Sequence, residues 1–454
     1  MRIWLEKDNN IVLPNDWHDA YLFTLYRDIY STIYTNLPTV WYHADQMEIA
    51  NIYEDLFTIA IMVFAVDKRV QRKLFPDAWT RDLIVSIPVL EIEAWAGTEP
   101  LWEKMLSFLT GDKWNILFRP TRVKYSRHDN KNRIHNNIKK HDSVCLFSGG
   151  LDSFCGAITL LEQGGSPCLL GHNEYPKLRT RQLQMCQSFQ SLYSEQNVDF
   201  QSFTANSRAP QLIAGELLRG TENTCRGRSL LFLCAALSIA ELIGKDTPVY
   251  IPENGFIGLN IPLTSSRKGS CSTRTTHPYF LRMLTDVLRI VGISHPIINF
   301  FAYNSKREIV SFVKDTEAFR ASYRYTISCS HPCVSRYNRN GSREYPINCG
   351  YCYPCLIRKA SLLDVATDND MEGSFYDFLT EYEYSDRTSD LRAVMNSVYR
   401  YRQCNDNDIK KMIRRTGRLS ENEVNKFLRV YKNSMDDLIA LFSTDERLKG
   451  LIGI

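Results

Sequence analysis

The chain has 454 residues, of which 44% are apolar and 23% charged, enough for two or three domains with a substantial core. Its net charge of +4 is too small to indicate nucleic-acid binding by itself. Thirteen cysteines, most of them single and at apolar positions, favour a reducing compartment. The apolar stretches 56–66 and 230–243 are too short to span a bilayer, and Glu6 and Lys7 interrupt the start, so we expect no signal peptide. The composition therefore predicts a cytoplasmic protein that does not enter a membrane.

Residues 1–125 are predicted to form an N-terminal α+β domain. Helical periodicity runs through residues 45–66 and again through 99–109, where it is amphipathic. Residues 82–95 alternate in the manner of a strand, and residues 114–119 also have a strand pattern. We identify no chemistry-bearing motif in this region.

Residues 126–141 are predicted to be an exposed basic linker. Between Arg119 and Lys140, eight lysines and arginines stand against the single acidic residue Asp129. A charge run of this kind is usually a solvated connector. Binding to a nucleic-acid backbone or an acidic partner through residues 119–140 is the alternative.

A short apolar run precedes a glycine turn, and a helical pattern follows the turn. Strand, glycine turn and helix together aim backbone N–H groups and the positive end of a helix dipole at an anion. The glycines let the backbone approach a phosphate, the serines add hydroxyl donors, and the aspartate can hold Mg²⁺ or bond the turn itself. An ordinary βα turn is the alternative interpretation. The turn comprises Ser148, Gly149, Gly150, Leu151, Asp152 and Ser153.

These six residues resemble the SGGxDS signature of the PP-loop ATP pyrophosphatases. That superfamily includes asparagine synthetase, tRNA thiolation enzymes and 7-cyano-7-deazaguanine synthase (QueC). Its members cleave ATP between the α- and β-phosphates and activate an acceptor as its adenylate. The resemblance implies ATP and Mg²⁺ as cofactors, an ATP-binding turn over residues 148–153, and catalytic roles for Asp152 and Ser153.

Three cysteines at double CxxC spacing, Cys349, Cys352 and Cys355, predict a zinc site. Tetrahedral zinc needs a fourth ligand, and the upstream segment offers three candidates, Cys329, His331 and Cys333. A closed four-ligand site would be structural, so we assign this zinc no catalytic role. Reduced cysteines in a loop at a helix cap are the alternative.

The order of motifs between the turn and the cysteines is similar to that of the QueC family. The segment around Cys329 resembles the family's Ser-Cys before its CGxCxxC knuckle, which favours Cys329 as the fourth ligand. Residues 226–229 resemble the family's Pro-Gly-Arg-Asn, which implies that Arg228 faces the phosphates. Glu253 matches the acidic residue that holds the deazaguanine base, although the segment that it begins is equally typical of a plain turn.

This resemblance covers residues 142–365, half of the chain. It implies a PP-loop, adenine nucleotide alpha hydrolase-like α/β domain with a parallel sheet over residues 142–328. A zinc knuckle and its following helix take residues 329–366. Helical periodicity with a capping box at Ser420 and Glu423 predicts a helical C-terminal subdomain over residues 367–454.

The chain departs from the family where the substrate is expected. A compact family segment is replaced by residues 260–278, which are basic and rich in hydroxyls and suit a larger acceptor; His277 is expected simply to begin a helix. Enlarged QueC-like proteins occur in bacterial anti-phage defence operons, including Qat and a cyclic-oligonucleotide signalling system. The resemblance thus implies an enzyme that adenylates a 7-carboxy-7-deazaguanine-like carboxylate for attack by a nitrogen nucleophile. An operon partner protein would be its acceptor or complex subunit.

Two other functions fit the same motifs. One is a PP-loop tRNA-modifying enzyme, a thiolase or a lysidine synthetase-like ligase, for which Cys225 and Cys271 are weak catalytic candidates. The other is a non-catalytic nucleotide-binding subunit that has kept the fold and lost turnover. The intact glycine turn argues against this second alternative.

Overall fold

The computed structural model gives a mixed α/β protein with two five-stranded sheets and many helices. The structure describes residues 1–9, 13–26, 30–45, 49–125, 137–212, 215–222, 224, 226–263, 274, 276–337, 344–368, 374–383 and 385–453. Most of the predicted basic linker, together with Cys225 and Cys271, lies outside these residues.

The N-terminal region is built on the first sheet, whose strand order is β10 (Gln211–Leu212), β2 (Tyr21–Thr24), β1 (Arg2–Glu6), β4 (Asp82–Val89) and β5 (Lys113–Pro120). Strands β2, β1, β4 and β5 pair in parallel, and only β10 is antiparallel. The expected α+β arrangement is therefore wrong: four strands of this sheet pair in parallel, and helices α3 (Ile92–Trp95) and α4 (Glu99–Thr110) make the crossover from β4 to β5, so this region is α/β. The predicted strand over 82–95 stops at Val89, and a short helix follows it. In chain order the elements are β1 (Arg2–Glu6), β2 (Tyr21–Thr24), β3 (Ile33–Thr35), α1 (Leu37–Asp45), α2 (Asn51–Arg69), β4 (Asp82–Val89), α3 (Ile92–Trp95), α4 (Glu99–Thr110) and β5 (Lys113–Pro120).

The central region is built on the second sheet, which is parallel throughout and has the order β12-β11-β6-β7-β8. Numbered within this sheet alone, the order is 3-2-1-4-5, that of a doubly wound fold. The order in which strands are added reverses between β6 and β11, because β7 and β8 lie on one side of β6 while β11 and β12 lie on the other. Ligands of such sheets bind at this switch point, at the carboxyl ends of the strands. Its elements are β6 (Ser143–Leu146), α5 (Leu151–Glu162), β7 (Pro167–His172), α6 (Leu178–Leu192), β8 (Asp199–Phe203), β9 (Ala205–Ser207), β10 (Gln211–Leu212), α7 (Arg226–Ile243), β11 (Val249–Tyr250), α8 (Gly255–Leu259), α9 (Pro278–Ile290), β12 (Ile297–Ile298), α10 (Lys306–Val313) and α11 (Glu317–Ser322).

Helices cover both faces of this central sheet. Along β6, Val144 and Leu146 belong to one apolar cluster, whereas Cys145 and the following Phe147 belong to another. The alternation follows from the period-two geometry of a strand. One cluster includes α7 and α9, and the other includes α5, α6, α10 and α11. A sheet buried on both faces explains why the inner strands β6, β7 and β11 are mostly apolar, whereas the edge strand β8 (DFQSF) carries three polar residues.

The N-terminal and central regions share one apolar core. The cluster that contains Val144 of β6 also contains Ile3 of β1 and Phe57 of α2. Helix α2 packs along α7, so α7 lies between the central sheet and the N-terminal region. Strand β10, from the central region, completes the edge of the first sheet, and β9 pairs with β3. The boundary expected near residue 125 therefore separates two segments of the sequence, but the apolar core extends across it.

The C-terminal region is helical and has its own apolar core, to which α8 of the central region contributes. The capping box expected at Ser420 and Glu423 is confirmed at the start of α16. None of the helices in the described part of the chain is both long and apolar enough to cross a membrane. The helices are α12 (Tyr353–Leu362), α13 (Phe375–Glu381), α14 (Ser389–Tyr401), α15 (Asp406–Arg414), α16 (Glu421–Phe442) and α17 (Glu446–Lys449).

Candidate functional site

The glycine turn joins β6 to α5 at the carboxyl edge of the central sheet. Gly149 has φ +84°, and a Cβ there would lie 3.0 Å from Leu178 Cδ1, so a larger residue would be both strained and crowded. The two serine hydroxyls of the turn meet, since Ser148 Oγ lies 3.2 Å from Ser153 Oγ. Ser148 is exposed, whereas Gly149 is buried against α6.

The N-terminus of α5 points out of the turn. Its first intrahelical hydrogen bond runs from Phe154 N–H to Gly150 O, at 3.1 Å, so the N–H groups of residues 151–153 lie at the open end of the helix. One of them, Leu151 N–H, donates to Ser328 Oγ at 3.4 Å. These donors and the positive end of the helix dipole favour an anion at this position.

Asp152 is held by two residues that the sequence analysis did not select. Lys306 Nζ lies 2.6 Å from Asp152 Oδ1, and the Asn254 side-chain amide donates to Asp152 Oδ2 at 2.6 Å. The Lys306 and Asp152 side chains are only 9% and 13% exposed, so this is a largely buried ion pair. Asn254 follows β11, and Lys306 begins α10 after β12; both strands end at the same edge as β6.

Glu253 stands at the same edge, after β11. Its carboxylate accepts a hydrogen bond from Thr276 Oγ1 at 3.3 Å, and Asn299 bonds its backbone through both amide atoms. The plain-turn alternative is replaced by a helix start, because Asn254 caps α8 by accepting from Ile257 N–H at 3.0 Å. Glu253 is thus a half-buried carboxylate next to the residue that holds Asp152.

Arg228 belongs to the first turn of α7. It forms an ion pair with Glu174, which follows the carboxyl end of β7. Partial desolvation would raise the pKa of Glu174, but the opposing interactions, led by the charge of Arg228, together outweigh it and hold the pKa below its ordinary value. Burial, with a further contribution from Arg228, lowers the pKa of His172 to about 4. The first turn of α7 is fixed by Asp67 of α2, which accepts from Gly227 N–H at 2.9 Å.

Two buried polar atoms beside the turn make no hydrogen bond within the described residues. They are Gln182 Oε1 and His172 Nε2. Gln182 donates to Phe147 O at 2.8 Å and contacts the space over Gly149, while His172 ends β7. Buried polar atoms nearly always have a partner, so Gln182 Oε1, beside Gly149, can accept a hydrogen bond from a ligand at the turn, whereas the His172 ring packs among phenylalanines.

Four sulfur atoms form a cluster that can bind a metal ion. The ligand atoms of Cys329, Cys349, Cys352 and Cys355 all lie within 4.8 Å of one another, and Cys329–Cys352 and Cys349–Cys355 are each separated by 3.9 Å. Tetrahedral zinc at about 2.3 Å from each sulfur would separate the sulfurs by about 3.8 Å, so the geometry fits zinc. Cys333 is not a member of the cluster described.

The surroundings of the cluster favour thiolates. Backbone N–H groups of Ser330, His331 and Cys349 point at cluster sulfurs, at 3.5, 3.2 and 3.4 Å. Hydrogen bonds among the four sulfurs lower the pKa of Cys349 and Cys352 and raise the pKa of Cys329 and Cys355, so two of the four thiols ionise readily even before a cation binds. Because thiolate is the form that binds metal, this environment suits a resident cation.

A short segment, residues 326–329, connects the cysteine cluster to the glycine turn. Ile327 N–H donates to Gly149 O at 2.8 Å, and Ser328 accepts from the N-terminus of α5. Ser328 N–H in turn donates to the buried Asn348 Oδ1 at 2.9 Å, and Cys329 supplies a cluster sulfur. The turn and the cluster are therefore parts of one hydrogen-bonded unit.

The sequence contained a signal for both overlooked residues. Asn254 directly follows an apolar strand pattern and precedes a glycine, as an N-cap does. Lys306 stands inside the capping box of Ser305 and Glu308, which places it in the first turn of a helix after a strand. Neither signal reveals that the two side chains meet on Asp152, since that depends on strand order.

Neither models of known protein families nor curated proteins match this chain.

Proposed function

We propose that the central domain is a PP-loop ATP-dependent enzyme of the QueC-like kind, which binds ATP and Mg²⁺ at the glycine turn. The observation that carries the proposal is the Asp152–Lys306 pair beside the open end of α5, at the switch point of a doubly wound sheet. An ammonium, N–H donors and a helix dipole suit polyphosphate. The carboxylate oxygens of Asp152 keep lone pairs that can bind Mg²⁺ alongside the phosphates.

The proposed reaction is acyl activation. A substrate carboxylate oxygen attacks the α-phosphorus of ATP, pyrophosphate leaves, and the product is an acyl adenylate. A nitrogen nucleophile then attacks the acyl carbon, AMP leaves, and the nitrogen loses a proton. The protein contributes positioning and charge stabilisation, from the turn and Lys306 in this proposal, with Arg228 at the neighbouring strand end.

Glu253 is proposed to recognise a 7-deazaguanine base. Its carboxylate can accept two hydrogen bonds from an amino-pyrimidinone edge, in place of the bond from Thr276 Oγ1. The acid of this class that fits adenylation is a 7-carboxy-7-deazaguanine. A role in anti-phage defence, with an operon partner as acceptor, follows from the resemblance alone.

Two variants test the two halves of the site separately. The full chain is incubated with ATP, Mg²⁺ and 7-carboxy-7-deazaguanine, and AMP and pyrophosphate are measured. Asp152→Asn should abolish turnover and weaken ATP binding. Glu253→Gln should leave ATP binding unchanged and weaken binding of 7-carboxy-7-deazaguanine by roughly ten- to a hundredfold. The amide N–H of the glutamine would then face a hydrogen-bond donor of the base.

Each of these results has an opposite that would contradict the proposal. Formation of ADP and phosphate would exclude attack at the α-phosphorus. If 7-carboxy-7-deazaguanine neither stimulates turnover nor raises the melting temperature of the protein, the deazaguanine substrate is excluded. Unchanged ATP binding in Asp152→Asn would remove the phosphate-site assignment itself.

A further inference from the structure

Six residues beside the glycine turn form a continuous surface of alternating cations and tyrosines, which we call the cation–tyrosine strip. Lys177 Nζ lies 4.2 Å from the ring centroid of Tyr345, and Arg336 Cζ lies 5.6 Å from the same centroid. These distances are within the range of cation–π contacts. The strip comprises Lys177, Arg181, Arg324, Tyr325, Arg336 and Tyr345.

The second half of the strip repeats the arrangement. The guanidinium carbons of Arg181 and Arg324 lie 5.9 and 6.0 Å from the ring centroid of Tyr325. An ion pair of 3.2 Å between Arg181 and Glu344 joins this half to Tyr345, the residue after Glu344. Four cations therefore surround two tyrosine rings along this surface.

The strip is accessible and partly preorganised. Lys177, Arg324 and Arg336 are exposed, and both tyrosine rings are half-buried. Lys177 has φ +65°, a left-handed conformation that is unfavourable for a residue with a Cβ. Such a conformation persists only where the surroundings impose it and is often associated with function. Here it occurs in the lysine that lies over Tyr345.

The strip borders the glycine turn on two sides. Lys177 precedes Leu178, whose Cδ1 would lie 3.0 Å from a Cβ at Gly149. Tyr325 stands two residues before Ile327, whose N–H donates to Gly149 O at 2.8 Å. A ligand lying along the strip would therefore end next to the turn.

We propose that the cation–tyrosine strip binds single-stranded nucleic acid. Cations spaced between aromatic rings match a chain in which phosphates alternate with flat bases, and bases stack on tyrosine and on arginine planes. An acidic peptide would use the cations and leave the rings without a stacking partner. This surface is distinct from the basic run at residues 119–140, and the proposal does not depend on the reaction at the turn.

Described parts of the basic run at 119–140 are engaged elsewhere. Arg119 forms an ion pair with Glu6 and lies over the Trp4 ring, 3.8 Å from its centroid. Lys140 pairs with Asp199 at 2.8 Å.

The test is direct binding of a short fluorescein-labelled oligouridylate to the full chain, measured by anisotropy at several salt concentrations without ATP. Affinity should fall as salt rises. The double variant Lys177→Ala, Arg336→Ala should weaken binding and reduce the slope of log affinity against log salt by about 1.4, since each phosphate contact of a single strand contributes about 0.7. Tyr345→Leu should weaken binding by about tenfold and leave the slope unchanged.

Matched controls separate the strip from general charge. Arg289→Ala with Lys411→Ala removes the same charge from two exposed i,i+3 ion pairs outside the strip and should change nothing. Zinc content, melting temperature and ATP affinity of each variant show whether the fold and the turn are intact. If Tyr345→Leu perturbs the zinc knuckle, Lys177→Ala alone still tests the strip, because Lys177 contacts the Tyr345 ring from outside the knuckle.

Three results would overturn the proposal. Absence of oligouridylate binding at low salt would do so, as would unchanged affinity in the Lys177 and Arg336 variant. Equal binding of polyglutamate, insensitive to Tyr345→Leu, would assign the strip to an acidic protein partner instead. ATP binding is measured separately, so any of these outcomes leaves the proposed function at the glycine turn standing.

Discussion

At the scale of single residues, the partners of Asp152 change what its substitution is expected to do. From the sequence, Asp152→Ala or Ser148→Ala is predicted to abolish ATP turnover at a cost of about 1 kcal/mol or less, provided that no buried partner is orphaned. In the structure Lys306 is such a partner, 8% exposed overall and 2.6 Å from Asp152. Asp152 therefore does have a buried partner that its substitution would orphan, so we expect a larger loss of stability than the sequence alone predicts.

We expect Asp152→Ala to lower the free energy of unfolding by about 3 kcal/mol, because it leaves a buried ammonium without its counter-charge. Lys306→Met should restore most of that loss when the two are combined, although neither variant should turn over ATP. Urea denaturation of the four proteins of the double-mutant cycle measures the coupling. Additive effects of the two substitutions would show that the pair is not formed.

His277 provides a pH-dependent test of packing. It caps α9 by accepting from Tyr279 N–H at 3.1 Å, as expected of a helix start, and its Nε2 lies 3.0 Å from Thr416 Oγ1. Burial lowers the pKa of His277 from 6.5 to about 3. The folded form thus keeps a neutral ring while the unfolded chain binds a proton, so this contribution to stability is lost as pH falls below 6.5.

We expect His277→Asn, which retains a capping side chain, to destabilise the protein at neutral pH and progressively less so at lower pH. Between about pH 6 and pH 4 the difference should shrink by up to about 1.4 kcal/mol per pH unit, the value for one proton. Denaturation of both proteins across this range provides the measurement. A difference independent of pH would mean that the ring titrates normally in the folded state.

At the scale of elements, the cysteine cluster should behave as a structural metal centre. One zinc per chain is expected, and Cys352→Ser should lower both zinc content and melting temperature, since metal binding is coupled to local folding. Cys333→Ser is the matched control and should retain full zinc, because its sulfur is outside the cluster described. Elemental analysis showing zinc lost in Cys333→Ser, or no zinc in the native protein, would contradict the assignment.

The segment over residues 326–329 makes a second expectation at this scale. Because Ile327 and Ser328 bond the glycine turn and Cys329 belongs to the cluster, removal of the metal should weaken ATP binding. Asn348→Ala should do the same while zinc is retained, since Asn348 holds Ser328 N–H. Binding of a fluorescent ATP analogue to native, chelated and variant protein is the measurement. Equal affinities in all three would show that the two sites are independent.

At the scale of the whole molecule, the shared core should make the N-terminal and central regions unfold together. All seven tryptophans lie within residues 1–125, so their fluorescence reports that region alone, whereas far-UV circular dichroism reports mainly the helices elsewhere. The two probes should give coincident denaturation curves. A tryptophan transition at lower denaturant would indicate a separately folding appendage.

Asp67 is the residue that most directly tests this coupling. It accepts from Arg81 Nη2 at 2.7 Å within the N-terminal region and from Thr224 Oγ1 and Gly227 N–H at the start of α7. Asp67→Ala should shift both curves together by about 1–3 kcal/mol, because buried donors at Arg81, Thr224 and Gly227 lose an acceptor while Arg81 keeps Asp112 as its counter-charge. The exposed Glu93→Ala should shift neither curve.

Local sequence signals were sufficient wherever neighbouring residues determine the structure. The glycine turn between a strand and a helix, the capping box at Ser420 and the start of a helix at His277 all depend on a few adjacent residues. Double CxxC spacing likewise brings three sulfurs together within a short segment. The fourth sulfur, Cys329, was selected by resemblance and not by spacing, because 19 intervening residues leave its position open.

Features that depend on strand order were decided only by the tertiary structure. Asn254 and Lys306 reach Asp152 from 102 and 154 residues away because parallel strands β6, β11 and β12 end at one edge. The parallel N-terminal sheet, with β10 returning from the central region, could not be read from local alternation, which is the same for either strand direction. The cation–tyrosine strip likewise joins three separate segments. The sequence by itself determined the motifs and their chemistry, and only packing determined which of them meet, because backbone periodicity is local whereas burial selects partners across the whole chain.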